Sequence, residues 1–153
     1  MKWIVVASVL LLAACNPAER MTYQVKGVGT GYDTVREDKI PGAFRAQGVY
    51  DPKDPKVSGE EVKWRTLYNG LESAQKAGYD LATFNAYTAM LTLTRSSRSY
   101  SFVEGQYPGF TFIVRGYKSD GEHPANAKPI AALMDEANRR AFAAVKPPPQ
   151  PQP

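Results

Sequence analysis

Ser58-Gly59-Glu60-Glu61-Val62-Lys63-Trp64-Arg65-Thr66-Leu67-Tyr68-Asn69-Gly70-Leu71-Glu72-Ser73-Ala74-Gln75-Lys76-Ala77-Gly78-Tyr79 is the stretch on which the fold turns. Its first four residues form a capping box. The Ser58 hydroxyl can accept from the Glu61 amide while the Glu61 carboxylate reaches back to the Ser58 amide, so two donors left open by a helix start are satisfied. Trp64, Leu67, Tyr68, Leu71, Ala74 and Gly78 then recur at spacings of three and four, drawing one apolar stripe along a helix of about 19 residues. Gly78 supplies the left-handed residue that ends such a helix, and Tyr79 the apolar contact just past it. A helix with one apolar stripe needs a second layer to bury it, and the flanking segments supply strands.

Downstream, Asp80 to Thr94 is rich in Thr, Leu and aromatics and has neither proline nor glycine, which predicts a strand. Leu81, Tyr87, Leu91 and Leu93 share one parity and Phe84 and Met90 the other, which leaves room for a bulge within it. Arg95-Ser96-Ser97-Arg98 reads as a turn, Ser99 to Glu104 as a short strand, Gly105-Gln106-Tyr107-Pro108-Gly109 as another turn, and Phe110 to Tyr117 as a strand. Lys118 to Glu122 is a polar turn. A second helix follows, with Pro129 in its first turn and an apolar face of Ile130, Leu133, Met134, Ala137, Ala141, Phe142 and Val145. Its polar face carries Asp135, Asn138, Arg139 and Arg140.

Upstream, Thr22 to Gly31 alternates and reads as a first strand whose Gly27-x-Gly29-x-Gly31 spacing permits a bulge or a close crossing. A phosphate-cradling loop would have to run straight into a helix, and Tyr32 to Arg36 instead continues extended. Glu37 to Gly42 turns the chain, and Ala43 to Tyr50 forms a second strand paired with the first. Asp51 to Lys56, with two prolines, is an exposed connection. The predicted order is strand, strand, helix, strand, strand, strand, helix: an α+β fold with about five strands in a largely antiparallel sheet, one helix packed on a face and a C-terminal helix. A composition of 43% hydrophobic and 22% charged residues suits a chain that buries a core.

The amino-terminal stretch has another character. Met1 to Cys15 places Lys2 before an apolar run and ends in small residues, the pattern of a secretory signal too short to span a bilayer as a permanent helix. Its end, Leu12-Ala13-Ala14-Cys15, resembles the lipobox at which bacterial lipoproteins are cleaved before a cysteine. The resemblance implies a thioether-linked diacylglycerol on Cys15, with its amine usually acylated too. Two or three acyl chains, at about 0.8 kcal/mol per buried methylene, anchor a protein stably where one holds it marginally. Cys15 is the one cysteine in the chain, so no intramolecular disulfide can form. Asn16, where enteric lipoproteins retained in the inner membrane carry Asp, implies the outer membrane, facing the periplasm. The expected organisation is residues 1–14 as signal peptide, 15–21 as lipidated tether, 22–146 as one domain and 147–153 as a polyproline-like tail without fold. Cleavage leaves roughly 139 residues, room for one domain.

A second resemblance rests on Val28-Gly29-Thr30-Gly31-Tyr32, Phe44-Arg45-Ala46-Gln47-Gly48 and Ala77-Gly78-Tyr79-Asp80. In that order they are similar to motifs of small uncharacterised proteobacterial lipoproteins, over roughly Tyr23 to Phe84. In this chain the aromatic after the junction is displaced to Phe84, and a proline-bearing insertion precedes the helix. The resemblance implies the fold and carries over no catalytic residue.

No catalytic, cofactor or metal site is expected; the covalent lipid on Cys15 stands in place of a cofactor. His123, the one histidine, lies among Asp120, Gly121 and Glu122 in a turn: without a second histidine or a usable cysteine it makes no metal site, and its place in a glycine- and proline-flanked loop argues against a hydrolytic triad. The carboxylates of Asp80, Glu104, Asp135 and Glu136 cannot be paired from sequence, which leaves a cell-wall hydrolase as a remote alternative. Arg95, Arg98, Tyr100, Tyr107, Arg115 and Tyr117, with Lys118, place cations and phenols along the last hairpins as candidate ligand-binding residues. Export removes nucleic acid as their partner. Cell-wall glycan, lipopolysaccharide or an envelope protein suits the same chemistry, and so does a plain soluble sheet face. The expected protein is a non-enzymatic envelope accessory or interaction protein, or alternatively a glycan- or lipopolysaccharide-binding module.

Overall fold

Gly59–Lys76 (α1) forms the helix expected from the stretch quoted first. The computed structural model describes residues 21–24, 32–55, 57–93 and 105–145, with side chains described within 35–55, 57–92 and 105–145. Ser58 caps α1 by accepting from the Glu61 amide at 3.4 Å. The other half of the predicted capping box does not form. The Glu61 carboxylate accepts instead from Arg65 Nε at 2.7 Å, one turn on, because an ionised donor makes a stronger bond than a backbone amide. At the far end the Gly78 amide donates to Gln75 and the Tyr79 amide to Ala74, with Gly78 at φ 91°, the left-handed termination expected there.

Before α1 come β1 (Met21–Gln24), β2 (Tyr32–Glu37) and β3 (Ala43–Val49); after it come β4 (Leu81–Leu93), β5 (Gly105–Tyr117), the two-residue β6 (Lys128–Pro129) and α2 (Ile130–Ala143). All the strand pairings are antiparallel, in the order β1-β2-β3-β5-β4-β6. The α+β class and the helix on a sheet are as expected. The single strand read over Thr22 to Gly31 is corrected: β1 and β2 are separate antiparallel arms, and β2 rather than β1 pairs with β3. Residues 25–31, with the glycine run, lie outside the described residues, as do the turn expected at 95–98 and the strand expected at 99–104.

The turn expected over Gly105 to Gly109 is also overturned, since β5 runs unbroken through it. Proline is tolerated at position 108 for a geometric reason. Gly116 N donates to Gly42 O and Tyr50 N to Pro108 O, so the even-numbered residues of β5 turn their backbone groups toward β3. The donor missing at Pro108 would face Tyr50, one residue past the end of β3, so only one bond at the very end of the ladder is given up. In β4 no bulge interrupts the register from Leu81↔Tyr117 to Leu93↔Gly105; Phe84 and Met90 simply occupy the opposite face from Tyr87 and Leu91.

The core lies between one sheet face and the two helices. Val35, Phe44, Ala46, Ala82, Phe112 and Val114 meet Leu67, Leu71 and Ala74 of α1 and Ile130 and Ala137 of α2. Burying each of the larger side chains stabilises the fold by about 1.5–3 kcal/mol. The helix approaches closely at Gly70, where a β-carbon would lie 2.9 Å from Val114 Cγ2 and 3.1 Å from Ala46 Cβ. Phe142 and Val145, placed on the apolar face of the second helix by their spacing, are 80% and 40% exposed. Phe142 stands about 100° round the helix from the buried Ala141 and so points off the stripe, whereas Val145 lies past the end of α2.

Candidate functional site

The face of the sheet turned away from the helices gathers the candidate binding residues. In β5 the odd-numbered residues point there, which puts Tyr107, Thr111, Ile113, Arg115 and Tyr117 in one row. Arg115 stands over the Tyr117 ring at 6.0 Å from its centroid. On one side of this row lie Arg45 and Gln47 of β3, opposite Ile113 and Thr111, and the Gln47 amide donates to the Thr111 hydroxyl at 3.2 Å. On the other side Thr83, Asn85 and Tyr87 of β4 lie opposite Arg115, Ile113 and Thr111.

One strand further, Arg36 of β2 is the direct cross-strand neighbour of Arg45. Two like charges so placed repel, and Asp38 answers them. Its carboxylate lies 3.6 Å from the Arg45 guanidinium. The Lys39 amide, donating at 2.9 Å, and then Arg45 and Arg36 hold the Asp38 carboxyl below its usual range. Arg45 Nε is buried and has no hydrogen-bond partner among the described residues. Three guanidiniums on Arg36, Arg45 and Arg115 against the one carboxylate of Asp38 leave this part of the face cationic, beside the phenols of Tyr87 and Tyr117. Such a surface can take an anionic oxygen group by charge-assisted bonds and a sugar ring by stacking.

Of the sequence candidates, Tyr107, Arg115 and Tyr117 therefore share this face, while Arg95, Arg98 and Tyr100 lie outside the described residues, as does Cys15. Arg36 and Arg45 were not among the expected binding residues. Their signal is their placement about the Asp38–Gly42 turn, which makes them cross-strand partners once the hairpin register is known. His123 sits exposed in its turn, with Nδ1 3.3 Å from the Pro124 carbonyl. Asp80 accepts from both the amide and the hydroxyl of Ser119, and the hydroxyl bond, chiefly, lowers its carboxyl below the ordinary value. Glu136 is engaged by Arg139 and Arg140, and Arg140 is the main cause of its lowered carboxyl. These carboxylates serve turns and a helix face, and Glu104 is outside the described residues. Among the described residues no group of three or more His, Cys, Asp or Glu gathers to hold a metal ion, and no helix is long and apolar enough to cross a membrane.

No protein-family model, curated protein or solved structure matches the chain.

Proposed function

We propose that the chain is a lipid-anchored protein of the bacterial cell envelope, held through Cys15 at the periplasmic face of the outer membrane, and that it acts there by binding rather than by catalysis. The observation that carries this reading is Leu12-Ala13-Ala14-Cys15 closing a basic and apolar leader, with Cys15 the single cysteine of the chain. Asn16 after it supports the outer membrane. The folded body begins within a few residues of this site, so a short tether would keep the sheet near the lipid surface. Cys15→Ala in the full chain should abolish acylation, seen as loss of the lipid mass, and move the protein from the membrane fraction to the soluble one. A wild type that is soluble and carries no lipid overturns the anchor.

A second reading names what is bound. The cationic patch of Arg36, Arg45 and Arg115 beside Tyr87 and Tyr117 favours a phosphate-bearing or acidic glycan of the envelope, with lipopolysaccharide as the natural case. Arg36→Ala and Arg115→Ala together should weaken retention on immobilised lipopolysaccharide at low salt and leave the thermal midpoint nearly unchanged. Equal retention of wild type and variant counts against it and leaves the accessory role, through a protein partner, in its place.

A further inference from the structure

Along β4 the outer edge is covered over only part of its length by the described residues. In β5 the even-numbered backbone groups face β3, so the odd-numbered ones face β4. In β4 it is therefore the odd residues, Leu81 to Leu93, that bond to β5. The even residues turn their amides and carbonyls to the outside. There β6 pairs with Leu81 and Ala82, and Ile130 N donates to Asp80 O. Beyond Ala82 no strand among the described residues covers the edge. Phe84, Ala86, Thr88, Met90 and Thr92 thus present a row of donors and acceptors without a ladder partner among the described residues.

Proteins usually protect such an edge with charges, proline, bulges or a covering loop. β4 has none of the first three from Leu81 to Leu93: it contains no charged residue and no proline, and its register is unbroken. Its edge also carries apolar bulk, with Phe84 37%, Tyr87 55% and Met90 58% exposed.

We propose that this edge pairs with a second copy of the same chain, the two β4 strands running antiparallel about a two-fold axis at Thr88, so that two sheets become one. Three features select a second copy. The free edge runs from Thr83 to Leu93, bounded by β6 at one end, and its midpoint is Thr88; an antiparallel β4 centred there covers the edge and stops short of β6. This register sets the three largest of these side chains against smaller residues: Met90 opposite Ala86, Tyr87 opposite Ala89, and Phe84 opposite Thr92. It also makes Thr88 its own neighbour, a favourable cross-strand pair, and brings no like charges together, whereas a charged strand would find no counter-ion here. The contact is about 37 Å long at the usual rise per residue. An isologous pairing of this kind closes at two chains. It is independent of the lipid on Cys15.

The test uses the full chain in detergent, its mass followed by sedimentation equilibrium from micromolar to sub-millimolar concentration. Wild type should move from one chain to two as concentration rises. Thr88→Lys and Thr88→Glu each place like charges face to face on the dyad and should hold the mass at one chain, with thermal midpoints close to wild type. Mixing the two variants should restore the doubled mass. Thr88→Pro, which removes an outward amide and no β4–β5 bond, should also remain single. A wild type of one chain throughout overturns the proposal. So does a dimer undisturbed by all three substitutions, or a Lys and Glu mixture that stays single.

Discussion

The two ends of β4 are held in opposite ways. Around Leu81 and Ala82 the strand has β5 on one side and β6 on the other, and Ala82 is buried against the core. Just before it, Asp80 donates its amide to Tyr117 O and receives the amide of Ile130, while Ser119 bonds to its carboxylate. The Tyr79 ring lies directly over Gly116, near Gly42, and edge-on to Phe44 at 6.3 Å between centroids. Lys118 donates to the Gly78 carbonyl at the helix end. From Thr83 onward the same strand has β5 alone among the described residues, and its side chains from Phe84 to Met90 are exposed. The bonding to β5 is equally regular at both ends, so the difference comes from what surrounds the ladder. Local stability follows that surrounding density more than strand pairing itself.

Single substitutions at the two ends should expose this contrast. Ile130 is 1% exposed and lies in the core at the held end. Ile130→Ala should cost about 2–5 kcal/mol in urea unfolding, because the surroundings cannot fully collapse into the space. Gly116→Ala should come next, at about 1–3 kcal/mol, since its β-carbon would lie 2.5 Å from Tyr79 Cγ and the ring must move. Met90→Ala, at the open end, should stay within about 0.5 kcal/mol when measured on single chains. A large cost at Met90 would show that the open end is packed after all.

The charge at the held end has a pH signature. Ser119 lowers the Asp80 carboxyl in the folded chain, so ionised Asp80 contributes stability above its ordinary value near 3.8, and that contribution is lost as pH falls through the lower folded value. Asp80→Asn should therefore lower the thermal midpoint at neutral pH, with the gap to wild type closing only in strong acid. A gap constant with pH would assign the effect to bond geometry rather than charge.

The same contrast decides what could be read from residues. The held end is written in local signals: the Ser58 cap, the three-and-four spacing through Leu71 and Ala74, and Gly78-Tyr79 just past the helix. What Tyr79 covers is a non-local matter, because Gly42 and Gly116 come from two other strands. Gly105 to Gly109 reads as a turn by composition, and only the end of β3 opposite Pro108 makes a strand possible there. The cationic sheet face is half legible. Tyr107, Arg115 and Tyr117 share a parity visible in the sequence, whereas Arg36 joins Arg45 only through the register of the β2–β3 hairpin. Whether β4 lies inside the sheet or at its edge depends on where every other strand goes, and no pattern within Leu81 to Leu93 encodes it.

Since Phe84, Ala86, Thr88, Met90 and Thr92 turn their amides outward while Thr83, Asn85, Tyr87, Ala89 and Leu91 turn theirs to β5, deuterium uptake along a lone chain should follow a two-residue beat, fast and slow by turns. At Asp80 and Ala82 the beat should vanish, because Ile130 and β6 lie alongside. Occupation of the open edge by any strand would flatten it amide by amide, so β4 carries a gauge of its own pairing that needs no knowledge of the partner.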